Sequence, residues 1–312
     1  MDFSQYRFRA SQSHFLMVGT IGLTEGQEVE LKDLENEKKT GINTNGNKVK
    51  WTHNKEDKLK YLAFKKDSNE LPKTMQTELR KIHRAETFKR NFIFTNKYVQ
   101  KGIMQEEEAV TLYQIYRKEI LGINTKFTKN TERLKNDWFS GEWDLPTLSE
   151  IKKTKEGFDI KNSWSLDSFP FAGDDLDSNY VAQNQVYMDL TGAEKWTTVY
   201  CLVNGTEHLV NNEKQKWFYA LNMPGSADDK YYDDYLEKCR EVEKMMIFDY
   251  ERFVKVNPFH NMEISKDEWF GEGFDIPLKD RVVEKTVYRD ENFLSELKER
   301  ATIGRKYLTE LK

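Results

Sequence analysis

Two charged side chains sit inside a strand-like segment of this chain, Glu156-Gly-Phe-Asp159-Ile160-Lys161-Asn162, and they limit what it can fold into. Alternate residues of a strand share a face, so Asp159 and Lys161 project together. Fifteen residues upstream, Asp144 follows another strand-like run, Asn136–Trp143. If the two strands are neighbours, two carboxylates and a lysine converge. Converging carboxylates make a hard-cation site of the kind that takes Mg²⁺. A lysine beside them can orient a water and stabilise charge on an attacked phosphate. Spacing alone carries little weight, because 33% of residues are charged and acid–x–Lys recurs, as at Glu37-Lys38-Lys39 and Glu150-Ile151-Lys152. The bland alternative is a solvated strand edge.

The order of elements around this segment predicts α/β or α+β with a mixed sheet. A helical stripe of Ala109, Leu112, Tyr113, Ile115 and Tyr116 runs through 100–121. Strand-like runs follow at 125–128, 136–145 and 156–162, then a helix over about 178–191. Asn204-Gly205 separates 198–203 from 206–210 and predicts a hairpin turn. Acidic helices are expected over about 226–255, and a long amphipathic helix from Asp290 to Lys312. A helix is expected around Ser11–Gly19, and Thr40–Lys48 as a mobile loop. That loop nearly spells a phosphate-binding GxxxxGK, but Asn47 follows Gly46 and no apolar strand precedes it. Trp138–Pro146 resembles Trp269–Pro277, but the flanks differ, so chance is the reading.

Charge is uneven. Residues 47–101 hold fifteen Lys and Arg against six Asp and Glu, while the whole chain has net charge −4. A basic face that meets a polyanion is one reading, and a solvated helix face the other. Within it, a helix over Lys73–Arg90 points Leu79, Ile82 and Phe88 inward and Arg80, Lys81, Arg84, Lys89 and Arg90 outward. Aromatics at 13% of 312 residues argue against global disorder. No run approaches the roughly 20 apolar residues of a membrane span, and residues 1–12 lack the apolar core of a secretory signal. Cys201 and Cys239 are too few for a disulfide framework or an iron–sulfur cluster, so a cytoplasmic location is expected. His14, His53, His83, His208 and His260 show no metal-ligand spacing. Trp143, Trp164 and Phe169 lie near the acids, where packing or stacking on bases are the two readings.

The stretches Phe139-Ser-Gly-Glu-Trp-Asp144, Phe158-Asp-Ile-Lys161-Asn-Ser-Trp164 and Tyr180-Val-Ala-Gln183-Asn-Gln-Val-Tyr187 resemble the PD-(D/E)XK nucleases. Within them the chain resembles the lambda-exonuclease and YqaJ-type viral recombinase group. Lys101–Tyr113 is similar to that group's first helix, and Arg9-Ala-Ser11 to its early Arg/Thr-Ala-Ser element. The resemblance implies a restriction-endonuclease-like core of helix, three strands, helix and strand over about 98–210. It implies one elaborated domain, with a basic helical insertion at about 24–97 and a helical extension at about 226–312. Asp144, Asp159, Glu106 and the Ile160 carbonyl would bind Mg²⁺, for which Mn²⁺ substitutes. Lys161 would position the attacking water, and Gln183 and Tyr187 would support the site. Ser11 and Arg9 would lie near a 5′-phosphate pocket, and Tyr180 would contact DNA with the basic helix. Trp143 stands where the motif has Pro, and the second acid is Asp159 rather than Glu.

The activity implied is a Mg²⁺-dependent, phage-type DNA exonuclease that makes single strands for recombination from double-stranded DNA ends. A single-strand annealing protein and a homo-oligomer, a ring trimer, are the partners implied. The alternatives are an endonuclease on the same fold, or an inactive protein that binds DNA ends or a partner.

Overall fold

The computed structural model describes residues 2–68, 70–90, 96–221, 229–256, 267 and 270–311. His260 and Trp269 lie outside them, as does part of the expected 226–255 helical stretch. Two compact units divide the chain. One comprises residues 1–92, 136–139 and 291–312, and the other residues 93–135 and 140–290.

The first unit opens with strand β1 (Phe8–Arg9) and a 3-10 helix over Ala10–Met17, where a helix is expected around Ser11–Gly19. Helix α1 (Glu25–Thr40) begins at a Thr24–Gln27 capping box and ends at Gly41, whose φ of 71° suits a residue without a Cβ. Residues 40–48 close on themselves: Ile42 bridges Lys48, and the Asn43 carboxamide accepts from the backbone N–H groups of Asn45 and Asn47. This is a built turn, because a short Asn side chain can replace the backbone as acceptor. Helix α2 (His53–Ser68) packs on α1 through Leu31, Leu34 and Leu62. Helix α3 (Lys73–Phe88) buries Met75 and Leu79, while Phe88, expected inside, is 68% exposed.

The basic segment is less open than its composition suggests. Helix α1 is acidic, and it meets α2 through Lys55–Glu37 at 2.6 Å, Lys58–Glu30 at 3.2 Å and Lys38–Glu56 at 2.7 Å. Lys38, with the Trp51 indole N–H, holds the Glu56 carboxyl down at about 2. The surplus of α2 is therefore spent largely within the unit. On α3, Arg80, Lys81, Arg84, Lys89 and Arg90 are exposed. Lys81 and Lys89 pair with Glu78 and Glu86, and Arg80 donates to the Tyr307 hydroxyl.

In the second unit, helix α4 (Lys97–Glu119) is followed by β2 (Leu134–Lys135) and β3 (Phe139–Gly141), which pair antiparallel at Leu134–Gly141 and Lys135–Ser140. Residues 125–128 form no strand, but Phe127 still packs against Tyr113 and Phe158 in the core. Next come α5 (Leu148–Thr154), β4 (Glu156–Asn162), α6 (Ser178–Thr191) and β5 (Lys195–Cys201). The region after β5 forms no hairpin. Thr206 caps helix α7 (Glu207–Ala220), and Asn204 is fully buried. Its side-chain oxygen accepts from Phe248 and Asp249 N–H, and its amide donates to the Asp249 carbonyl. These tertiary bonds outweigh local turn preference. Helices α8 (Asp229–Met246) and α9 (Tyr250–Val256) follow. Strand β6 (Val282–Tyr288) then appears in a stretch expected to be helical. Helix α10 (Glu291–Glu310) belongs to the first unit.

The principal sheet has the order β4-β5-β6, parallel at β4/β5 and antiparallel at β5/β6. Apolar residues of α4 meet Phe158, Ile160, Val199, Cys201 and Val282 on one face. On the other face α6 packs, with Tyr187 on Trp196 and Asn184 donating to Thr198. The fold is thus α+β with a mixed sheet between helices. Gly157 pairs with Trp196 in the β4/β5 register, and a Cβ there would meet the indole carbons at 2.3–2.6 Å. Gly157→Ala is therefore expected to destabilise the protein by roughly 1–3 kcal/mol. An unchanged midpoint in thermal unfolding would show that the ring has room to move.

Candidate functional site

Strand β4 carries the acids to the sheet edge. Leu145 bridges Phe158 antiparallel, with exchanged backbone bonds of 3.2 and 2.8 Å. The next outward N–H of β4, at Ile160, is taken by the Asp144 carboxylate at 2.7 Å. Asp144 thus ends the ladder with its side chain and is fixed beside Asp159 and Lys161. The β4 alternation turns Phe158 and Ile160 into the α4 core and Asp159 and Lys161 to the opposite face.

Asp159 is 2% exposed. Lys161 Nζ approaches its Oδ2 to 2.5 Å, off hydrogen-bond alignment, so that buried oxygen keeps no hydrogen-bond partner. Burial and then the charge of Asp159 push the Asp144 carboxyl up to about 7, while Lys161 and the Ile160 N–H oppose that rise. Burial alone would lower the Lys161 pKa, but Asp159 and Asp144 outweigh it and push it above the usual lysine range. Lys161 is therefore an ammonium, suited to holding charge and orienting a water rather than to removing a proton.

Glu106 comes from α4. With Asp144, Ile160, Lys161 and Tyr180 it lines one cavity of about 550 Å³. Its carboxylate pairs with Lys129 at 2.8 Å. Among the described residues, no three His, Cys, Asp or Glu side chains gather closely enough to enclose a metal ion. The donor chemistry still suits a hard cation. The acids offer only oxygen, and the Asp159 oxygen that Lys161 pairs with but does not hydrogen-bond keeps capacity for a cation beside Asp144.

Gln183 and Tyr187 lie behind the acids on α6. Gln183 donates to the Tyr187 hydroxyl at 2.9 Å, and that hydroxyl donates to the Glu142 carbonyl at 2.9 Å. Burial, then the Asp159 charge, pushes the Tyr187 pKa up, so the phenol stays a donor. These two residues fix the backbone two positions ahead of Asp144. Lys161 Nζ lies 5.0 Å from the Tyr180 ring centroid, so Tyr180 walls the lysine's side of the cavity.

Arg9, Ser11 and the α3 cations belong to the other unit, where all are exposed. Of the three aromatics read as packing or stacking groups, Trp143 is a core residue donating to the Pro146 carbonyl, while Trp164 lines the cavity. Lys129 was not singled out in the sequence, and nothing local distinguishes it from other surface lysines. Asn130 sets its place by donating N–H to the Asp144 carbonyl and side-chain N–H to the Trp143 carbonyl.

Helix α4, strands β2 and β3, helix α5, strand β4, helix α6 and strand β5 follow in that order, an α+β arrangement. The chain is similar in fold to the crystal structure of a phage-related exonuclease from Haemophilus somnus 129PT. The TM-score is 0.55 at 20% identity, over 97% of this chain and 94% of that one. No family model and no curated protein matches the chain. Among the described residues, no helix is long and apolar enough to cross a membrane.

Proposed function

We propose that this chain is a metal-dependent nuclease of the PD-(D/E)XK type, acting as an exonuclease on double-stranded DNA ends. The observation that carries this reading is the convergence of Asp144, Asp159 and Lys161 at the β4 edge, with Glu106 on the cavity that Asp144 and Lys161 line and Asp159 buried behind it. Charged groups are rarely buried unless they are paired or serve chemistry. The fold shared with a phage-related exonuclease agrees with it.

Mg²⁺ or Mn²⁺, held by Asp144, Asp159, Glu106 and the Ile160 carbonyl, would supply Lewis-acid polarisation of a phosphoryl oxygen. Lys161 holds the attacking water by hydrogen bonding and offsets negative charge as it builds on the phosphate. Glu106 must exchange Lys129 for the cation, which leaves Lys129 beside an anionic substrate. Gln183 and Tyr187 keep the Asp144 backbone in register through the Glu142 carbonyl. Arg80, Lys81, Arg84, Lys89 and Arg90, with Arg9 and Ser11, supply phosphate contacts, and Tyr180 a contact beside the reacting nucleotide.

The test is digestion of linear duplex DNA labelled at either end, in Mg²⁺ and in EDTA. Loss of end label that needs the cation is expected, and the label lost first gives the polarity. Cleavage of closed circles would shift the reading to an endonuclease. Binding to ends without cleavage of any substrate in Mg²⁺ or Mn²⁺ would leave an end-binding protein.

A further inference from the structure

The cavity holding the acids extends along α4 away from them, and its far end has no role in the chemistry above. Val99, Gly102, Ile103 and Glu106 all line it. At spacings of three and four residues they form one helical stripe, so the face that delivers Glu106 continues as an apolar ramp. Tyr98 and Trp164 wall the ramp, their rings T-shaped at 5.3 Å between centroids. Lys97 Nζ sits 4.6 Å from the Trp164 ring centroid and pairs with Glu213 at 3.3 Å, which pins the indole.

Two features of this end lack an internal explanation. Ile103 is 72% exposed and Tyr98 54%, although both border a concave surface. Gly102 lies inside α4, where glycine weakens a helix, yet a Cβ there would meet no atom within 4 Å. Neither packing nor backbone conformation requires a glycine at that position. A glycine on a cavity wall lets a ligand approach the helix backbone closely.

We propose that this end of the cavity is a subsite for one unpaired nucleobase of the strand being cut. The base would lie flat over Gly102, between the Ile103 and Val99 side chains and the Trp164 ring. Nucleobases offer the planar apolar faces such a slot takes, and aromatic side chains stack on them with little sequence preference. The span fits a base whose own phosphate is at the acids. Gly102 precedes Glu106 by four residues, about 6 Å along a helix, and Tyr98 precedes it by eight, about 12 Å at the far rim. The subsite requires a frayed or single-stranded terminus, so it defines which end of a duplex is handled. It rests on the nuclease reading.

The test is binding of a single-stranded oligonucleotide carrying 2-aminopurine at its terminal positions, with Ca²⁺ in place of Mg²⁺. Wild type is expected to quench the probe at one position. An abasic residue there should weaken binding about tenfold. Gly102→Leu should weaken the intact oligonucleotide to the abasic level, with an equal or higher melting temperature, because leucine favours a helix over glycine. Equal affinity for intact and abasic strands, with Gly102→Leu neutral and cleavage in Mg²⁺ intact, overturns the subsite and spares the nuclease. Quenching with no cleavage of any substrate in Mg²⁺ overturns the nuclease, and with it the subsite as one for a strand being cut. No binding of the single strand by wild type, with cleavage of duplex in Mg²⁺ retained, overturns the subsite alone. If Gly102→Leu fails to fold, the abasic comparison in wild type still decides.

Discussion

Asp144→Asn is expected to abolish cleavage while leaving the metal-free protein as stable as wild type or more so. The amide is nearly isosteric, and its oxygen can still accept the Ile160 N–H that Asp144 accepts at 2.7 Å. It removes one of two buried carboxylates that repel each other, the repulsion that helps push Asp144 up to about 7. Sites shaped for function are often strained, and relieving such strain commonly yields about 0.5–2 kcal/mol. Cleavage should fall by at least about 10²–10³-fold, the usual cost of losing one electrostatic contributor in an active site. Lys161→Met should match that loss of rate for the opposite structural reason. It strips the buried Asp159 of its 2.5 Å counter-ion and should destabilise the fold by about 3–5 kcal/mol. The pair therefore separates catalysis from stability. Single-turnover digestion of end-labelled duplex in Mg²⁺ and thermal unfolding in EDTA read the two. Cleavage by Asp144→Asn at the wild-type rate would remove Asp144 from the chemistry.

Strand β4 and helix α6 were readable from local signals. Their bounds follow from alternation in Phe158-Asp-Ile-Lys161, from the Asp177 cap and from Gly192 in the left-handed conformation. That Asp159 and Lys161 share a face is a consequence of strand period alone. What brings Asp144 to them is a single bridge, Leu145 to Phe158, together with the Ile160 N–H, and no local periodicity encodes that pairing. The motif resemblance provided it.

Strand β6 was missed because its partner is distant. Lys195 pairs with Tyr288 and Cys201 with Val282, and Val-Val-Glu-Lys-Thr-Val-Tyr alternates too weakly to declare a strand unaided. Asn204-Gly205 misled because its turn preference is real but local, whereas Asn204 is held by backbone groups more than forty residues away. Part of the basic stretch is answered within its own unit, in a way the sequence itself suggests. The Glu-rich run of α1 stands immediately upstream, and α1 and α2, joined across residues 41–52, neutralise each other through Lys55–Glu37, Lys58–Glu30 and Lys38–Glu56. The surviving basic surface is α3, a smaller region than composition suggested.

Lys101 had no distinguishing signal, and it carries the second large prediction. It is fully buried, and its Nζ lies within hydrogen-bond distance of three backbone carbonyls: Ser163 at 2.7 Å, Trp164 at 3.0 Å and Val203 at 3.0 Å. It therefore ties α4 to the chain just past β4 and just past β5. These are the segments that set Glu106 against Lys161 and close the cavity beside Trp164. Lys101→Met fills similar space but leaves three buried acceptors without their donor. The expected cost is about 3–5 kcal/mol, since each unsatisfied buried group costs about 1–3 kcal/mol and some relaxation follows. A second readout separates the lost donor from a packing fault. Burial pushes the Lys101 pKa down to about 7, against about 10.4 for an unfolded lysine. Between those values the unfolded chain binds the extra proton, so this group makes stability lowest below pH 7 and raises it as pH climbs toward 10. Wild type should gain stability over that interval relative to Lys101→Met, measured by denaturant unfolding at pH 6.5, 8 and 9.5. Parallel curves for the two proteins would mean that Lys101 titrates alike in folded and unfolded states. A loss below about 1 kcal/mol would mean that the three carbonyls find other partners and that α4 is held on the sheet by its apolar stripe alone.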